Sequence, residues 1–169
     1  MKQNKIAIIY DFDGTLTPKS MQEYTLLPKL GINSQSFWDS IVKEATKTGG
    51  ETMMIYMRQL LDHARDKNIK ISKDEFFKMG KDIQYYSGVV DWFKRIDRYV
   101  QKLSNGEVEI YHYIISAGHL EILEGISIKK WIKKIFASEY FYNSDKYAVF
   151  PKIVVTDTTK TQYLFRINK

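Results

Sequence analysis

The chain has 169 residues, 44% hydrophobic and 14% aromatic, enough to bury a substantial core as one domain or as a domain carrying an insertion. No apolar run approaches the roughly 18 to 20 residues of a membrane span, the N-terminal run turns acidic too soon for a signal peptide, and zero cysteines exclude disulfides and thiolate metal sites. The net charge of +6 favours anionic partners without choosing among nucleic acid, lipid surface and small phosphorylated molecules.

Ile6 to Tyr10 is a short apolar run rich in β-branched residues and predicts a fully buried strand. It runs into Asp11 and Asp13, with Gly14 turning the backbone and the Thr15 hydroxyl expected to tie that turn down. From Met21 to about Asp82 the periods are helical. The breaks fall at Gly31 with Asn33, at Gly49 with Gly50, and at a Ser72/Glu75 capping box. An amphipathic helix follows, with Val90, Phe93, Ile96, Val100 and Leu103 on one face and Asn105–Gly106 ending it. Residues 108–116 predict a second strand, closed by Ser116, Ala117 and Gly118. A helix is expected over roughly His119 to Lys134, where Ile128, Trp131, Ile132 and Ile135 recur at helical spacing. The lysines between Lys129 and Lys134 then form its wet face rather than a nucleic-acid patch. Residues 135–143 predict a third strand, and 146–157 alternate around Pro151 as a hairpin would. A last helix follows, with Asp157 or Thr158 as its cap.

This order predicts an α/β fold: a Rossmann-like parallel sheet core with an inserted all-helical cap and a small β-hairpin. Residues 1–17 and 88–169 form the core and 18–87 the cap. In such sheets ligands gather at the carboxyl ends of the strands, where both Asp11 and Ser116 fall. Two carboxylates two residues apart past a strand end can face one crevice, where a divalent cation offsets their repulsion.

The string D-F-D-G-T-L-T at that strand end resembles the nucleophile motif of the haloacid dehalogenase superfamily, most of whose members are magnesium-dependent phosphatases. The resemblance implies that Asp11 attacks phosphorus and forms an aspartyl phosphate. It makes Asp13 the general acid and then the base, and puts Mg2+ on the Asp11 carboxylate and the Asp13 backbone carbonyl. An aspartate at position 13 favours the phosphatase branch over dehalogenases and ion-pumping ATPases. The second motif is matched by Ser116, whose hydroxyl, with the N–H groups of Ala117 and Gly118 at a helix start, would hold a phosphoryl oxygen. Lys160 matches the third motif, a lysine that neutralises Asp11 and the phosphate; Lys152 is a weaker candidate.

A fourth motif, an acidic cluster after a further strand, has no counterpart before Lys169, so the third metal ligand is missing from the chain. Asp145 reads as a turn residue and Asp157 as a helix cap. The resemblance therefore implies a fragment or truncated product of a longer phosphatase, weakly active or inactive, its sheet lacking an edge or completed by another chain. The inserted helices resemble the cap of the phosphoserine phosphatase branch. There Met53 to Gln59 would line the crevice and Arg58 would meet an anionic substrate group. Ser20 stands where that branch carries a glutamate for the substrate amine, so phosphoserine itself is not indicated. His63, His112 and His119 lack metal-ligand spacing and read as structural.

The expected function is a cytoplasmic, Mg2+-dependent phosphomonoesterase acting on a small phosphorylated metabolite, with neither nucleic acid nor membrane as partner. The alternative is a non-catalytic phosphate- or partner-binding module on the same core.

Overall fold

The computed structural model describes residues 4–168. Strand β1 (Lys5–Tyr10) leads to five helices: α1 (Met21–Tyr24), α2 (Leu26–Lys29), α3 (Ser34–Thr48), α4 (Thr52–Asp66) and α5 (Lys73–Met79). Helix α6 (Val89–Leu103) returns the chain to β2 (Glu109–His119). After it come α7 (Leu120–Glu124), β3 (Ile132–Tyr142), β4 (Ala148–Ile153) and α8 (Lys160–Ile167). The sheet has the order β1-β2-β3-β4, with the first three strands parallel and β4 antiparallel. The fold is thus mixed α/β with a mostly parallel, Rossmann-like sheet. No helix among the described residues is long and apolar enough to cross a membrane.

Alternation along the strands divides the core between the two faces of the sheet. Ile114 joins a large cluster with Phe12, Met21, Phe37, Tyr56, Phe76, Phe93 and Tyr140, whereas its neighbour Ile115 packs with Val155 and Tyr163 under α8. Helices α5 and α7 meet where neither chain carries a side chain. A Cβ on Gly125 would lie 1.8 Å from the Phe77 carbonyl oxygen, and one on Gly80 would lie 2.4 Å from that of Ile122.

Several local expectations are corrected. The helix expected over His119 to Lys134 stops at Glu124; Lys129–Trp131 is a single 3-10 turn, and Ile132 already belongs to β3. Its isoleucines suit a pleated surface, and Ile132 and Ile135 pair in register with His112 and Ile114 of β2. The lysines of that run do not form a helix face: Lys129 pairs with Glu124 at 3.1 Å, Lys133 lies 3.4 Å from the Tyr111 centroid and Lys134 lies 4.9 Å from that of Phe136. The hairpin reverses at Asn143–Tyr147, where the Asn143 side chain accepts from the N–H groups of Asp145 and Tyr147. Pro151 sits inside β4 opposite Tyr140, tolerated because β4 is an outer strand. Helix α6 buries Phe93 but leaves Val90 and Leu103 exposed, and Ile6 of the outer strand β1 is also exposed.

Candidate active site

Asp11 directly follows β1, which is in register with β2 from Lys5↔Glu109 to Tyr10↔Ile114, so Asp11 lies towards the same end of the sheet as Ser116 near the end of β2. Three successive N–H groups, of Thr15, Leu16 and Thr17, then donate to the single carbonyl of Phe12, and Gly14 supplies the required left-handed residue at φ 75°. The hydroxyl that ties this turn down belongs to Thr17, which donates to the Lys19 carbonyl at 2.8 Å, and not to the exposed Thr15. This fold-back places both carboxylates at one cavity of about 560 Å3.

The carboxylates of the turn make short-range and charge-assisted contacts. Asp11 Oδ1 accepts the Phe12 N–H at 2.8 Å, and Asp11 Oδ2 accepts from Lys160 Nζ at 2.9 Å. Asp13 Oδ1 accepts the Met21 N–H at 2.9 Å. Burial pushes the Asp13 carboxyl up to about 7, with the Asp11 charge adding to it against the Met21 hydrogen bond and Lys160. Lys160 is raised by its hydrogen bonds and charge pairing with Asp11 and Asp157, against the opposing effect of desolvation. Thr156 and Thr159 set it there: the Thr156 N–H donates to Thr159 Oγ1 at 2.7 Å and the Thr159 N–H returns to Thr156 Oγ1 at 3.1 Å, turning the chain into α8. The N-cap of α8 is Thr159. Asp157 is no cap; it pairs with Lys160 at 3.3 Å.

Asp11, Asp13, Ala117, Gly118 and Lys160 all line the cavity, together with Thr156, Asp157 and Thr158. Ser116 does not. It is buried, and its Oγ accepts the Gly118 N–H at 2.9 Å. The helix start expected at Ala117 and Gly118 is also displaced, because β2 runs through both and α7 begins at Leu120. Lys152 pairs with Glu139 at 2.7 Å, outside the lining. Arg58 is likewise outside: its guanidinium grips both Glu44 oxygens and Asp62, each at 2.6 Å. Of the stretch from Met53 to Gln59, Met53 and Tyr56 do line the cavity, and Met57 is wholly buried.

The helices add a buried relay that the sequence did not disclose. Gln22 Nε2 donates to the Tyr56 hydroxyl at 2.7 Å, and that hydroxyl meets His119 Nε2 at 2.7 Å. With the hydroxyl proton directed at Nε2, the imidazole proton is assigned to Nδ1. Burial lowers the His119 pKa to about 3, so the ring is neutral. The only advance signal was Tyr56 falling within the stretch expected to line the crevice.

The donor chemistry suits magnesium. Asp11 and Asp13 offer hard oxygen atoms, and each Asp11 oxygen keeps acceptor capacity beyond its one hydrogen bond. Among the described residues no three His, Cys, Asp or Glu side chains gather as a metal-binding group. The other positions would fall to water and phosphate oxygens, a common arrangement for this ion.

No protein-family model matches the chain. An uncharacterized protein of Borreliella burgdorferi is 30% identical over 190 residues, covering 99% of this chain and 66% of the relative. A solved HAD family hydrolase from Salmonella enterica serovar Typhi matches with a TM-score of 0.63 at 16% identity, over 95% of this chain and 50% of that one. A phosphoserine phosphatase, solved as a phospho-aspartyl intermediate analogue, matches with a TM-score of 0.63 at 19% identity, over 98% of this chain and 71% of that one. The fold is that of the haloacid dehalogenase-like hydrolases, in the form seen in phosphoserine phosphatases. The chain spans about two thirds of the curated relative and half of the Salmonella hydrolase.

Proposed function

We propose that this chain is a Mg2+-dependent phosphomonoesterase that cleaves a small phosphorylated metabolite through an aspartyl phosphate. The observation that carries the reading is the 2.9 Å pairing of Lys160 with Asp11 at a cavity that Asp13 also lines. That the related fold includes a phosphatase captured as a phospho-aspartyl analogue supports it. The roles of 1–17 with 88–169 as core and 18–87 as cap belong to the same proposal.

An Asp11 oxygen attacks phosphorus as the ester P–O bond breaks, and Asp13 delivers its proton to the departing alkoxide. A carboxyl with a pKa of about 7 still holds that proton in much of the population at neutrality. Asp13, now ionised, takes a proton from the water that attacks the aspartyl phosphate, releasing phosphate and restoring Asp11. Lys160 holds the Asp11 carboxylate in place and balances charge on the transferred group. Ala117 and Gly118 border the phosphoryl position, and Ser116 supports that bend through the Gly118 N–H. Magnesium, held by the Asp11 carboxylate and the Asp13 carbonyl, would supply charge neutralisation on the phosphoryl oxygens.

The test is phosphate release from p-nitrophenyl phosphate in magnesium. Release by the unaltered chain and none by Asp11→Asn supports the mechanism, whereas equal turnover by both ends it. The absence of a third clustered ligand among the described residues favours a second reading, a phosphate-binding module without turnover. Micromolar phosphate binding by calorimetry, indifferent to magnesium and without hydrolysis, would distinguish it.

A further inference from the structure

Helix α8 covers only part of its side of the sheet. Its Tyr163 packs with Ile115 and Val155, and Ile9, Phe136 and Ile153 are partly sheltered against them. Alternation puts Lys5, Ala7 and Ile9 of β1 and Tyr111 and Tyr113 of β2 on the same side as Ile115, with Ala7 paired to Tyr111 and Ile9 to Tyr113. Lys5 and Ala7 are exposed there, although parallel strands are ordinarily covered on both faces. What stays open is a trough: a cavity of about 620 Å3 adjoins one of about 300 Å3, and Tyr113, Lys133 and Ile167 line both. It shares no residue with the lining of the cavity at Asp11.

The trough is lined by cations without counter-charges. Lys5 and Lys133 line the larger part and Lys133, Lys134 and Arg166 the smaller, and neither lining includes a carboxylate. Among the described residues none of the four pairs with an acidic side chain. Lys133 and Lys134 rest on the Tyr111 and Phe136 rings, and the Arg166 guanidinium lies 5.0 Å from the Tyr163 centroid. Glu109, opposite Lys5 in the register, accepts from the Tyr111 hydroxyl and lies outside both linings. Tyr113, between the two parts, is half-buried and stacks on no other ring among the described residues. The sequence sets nucleic acid aside because these lysines read as the wet face of a core helix. With Lys133 and Lys134 in β3, that reason lapses.

We propose that this trough binds a single-stranded segment of nucleic acid, its phosphates on Lys5, Lys133, Lys134 and Arg166 and a base on the Tyr113 ring. A cationic groove with an accessible ring holds unpaired strands by tracking the backbone with charge and the bases by stacking. A flat anionic membrane does not enter a recess between helix and sheet, and an acidic peptide leaves the ring unused. The proposal goes beyond the phosphomonoesterase reading and does not depend on it, since the two sites share no lining residue.

Fluorescence anisotropy of a labelled oligothymidylate with the full chain tests it. In about 50 mM salt the expected Kd is about 10 μM or below, and log K should fall against log salt with a slope of about −2 to −3, from three to four phosphate contacts. Lys133→Gln with Lys134→Gln should cut that slope by about 1.4 and weaken binding about tenfold or more. Lys43→Gln with Lys47→Gln removes the same net charge from exposed lysines of α3 and should leave the slope unchanged and the affinity within about twofold. Tyr113→Leu should weaken binding about tenfold at an unchanged slope, the mark of a lost stacking contact. The lysine variants, all at exposed positions, keep the test decisive if Tyr113→Leu loosens the fold. No binding up to about 100 μM, equal losses in the two lysine pairs, or full affinity in Tyr113→Leu overturns the proposal. So do vesicles of phosphatidylserine and phosphatidylcholine that hold the chain more tightly than the oligonucleotide and release it with Lys133→Gln and Lys134→Gln, since the trough would then serve a lipid surface.

Discussion

Asp11, Asp13 and Lys160 reach the cavity on a strand-end turn and a helix start, whereas Trp38, Met53 and Tyr56 reach it from the bodies of α3 and α4. The first group is positioned largely by its own neighbourhood: Asp11 by the Phe12 N–H one residue on, and Asp13 by the Met21 N–H eight residues on. The second depends on contacts across the chain, with Tyr56 linked to Gln22 34 residues before it and to His119 63 residues after it. Local positioning leaves a compact motif, while positioning by packing leaves only apolar periodicity. If the proposed function holds, changes to the Asp11–Asp13–Lys160 group and changes to the helical wall should therefore fail separately.

The sharpest break is at the phosphate end. Asp11→Asn is expected to lower phosphate release by roughly 10^3-fold or more, since removing the proposed nucleophile would disable the whole constellation. Single-turnover assays of the two chains check it. Asp13→Asn separates function from stability. The folded Asp13 pKa of about 7 lies above the ordinary 3.8, so its contribution to stability is present below about pH 4 and lost as pH rises through 7. In chelator, Asp13→Asn should then raise stability at pH 8 by about 3 kcal/mol, discounted for partial solvent access, while abolishing turnover. The gain should shrink towards pH 4. Urea titrations at several pH values measure it, and a loss of stability at pH 8 would contradict the burial argument.

The same contrast explains what was legible. The D-F-D-G-T-L-T string, the parallel α/β order and Lys160 were readable because each is a local pattern tied to one backbone task. Ser116 reads in the sequence as the close of its strand, whereas β2 runs on to His119 and leaves Ser116 buried within it. The helix expected over His119 to Lys134 misled because isoleucines at helical spacing also satisfy a strand, and only pairing with β2 decides between them. The Gln22–Tyr56–His119 relay left no short-range trace at all.

Tyr56→Phe tests that relay. It strips the hydroxyl from both Gln22 Nε2 and His119 Nε2 in a place where Tyr56 is 1% exposed. A cost of about 2 kcal/mol is expected from the two polar groups left unpaired, read from the denaturant midpoint at constant m-value. Because His119 is neutral throughout, that cost should not change between pH 6 and 8. A pH-dependent cost would mean that the ring titrates in this range and that the proton assignment is wrong.

The smallest effect should come from Arg58, and its smallness is informative. Its ion pairs span α3 and α4 on a surface where the side chain is 47% exposed, so screening leaves little net stabilisation. Arg58→Met is expected to move Tm by no more than ~2 °C. It should also leave kcat/KM within about twofold for phosphoethanolamine and phosphoserine alike, since fewer than 0.5 kcal/mol would separate the two chains. A selective loss of tenfold or more with phosphoserine would show Arg58 leaving Glu44 to receive the substrate carboxylate. Arg58 would then reach the substrate through movement of α4 rather than from the ion pairs that hold it at rest.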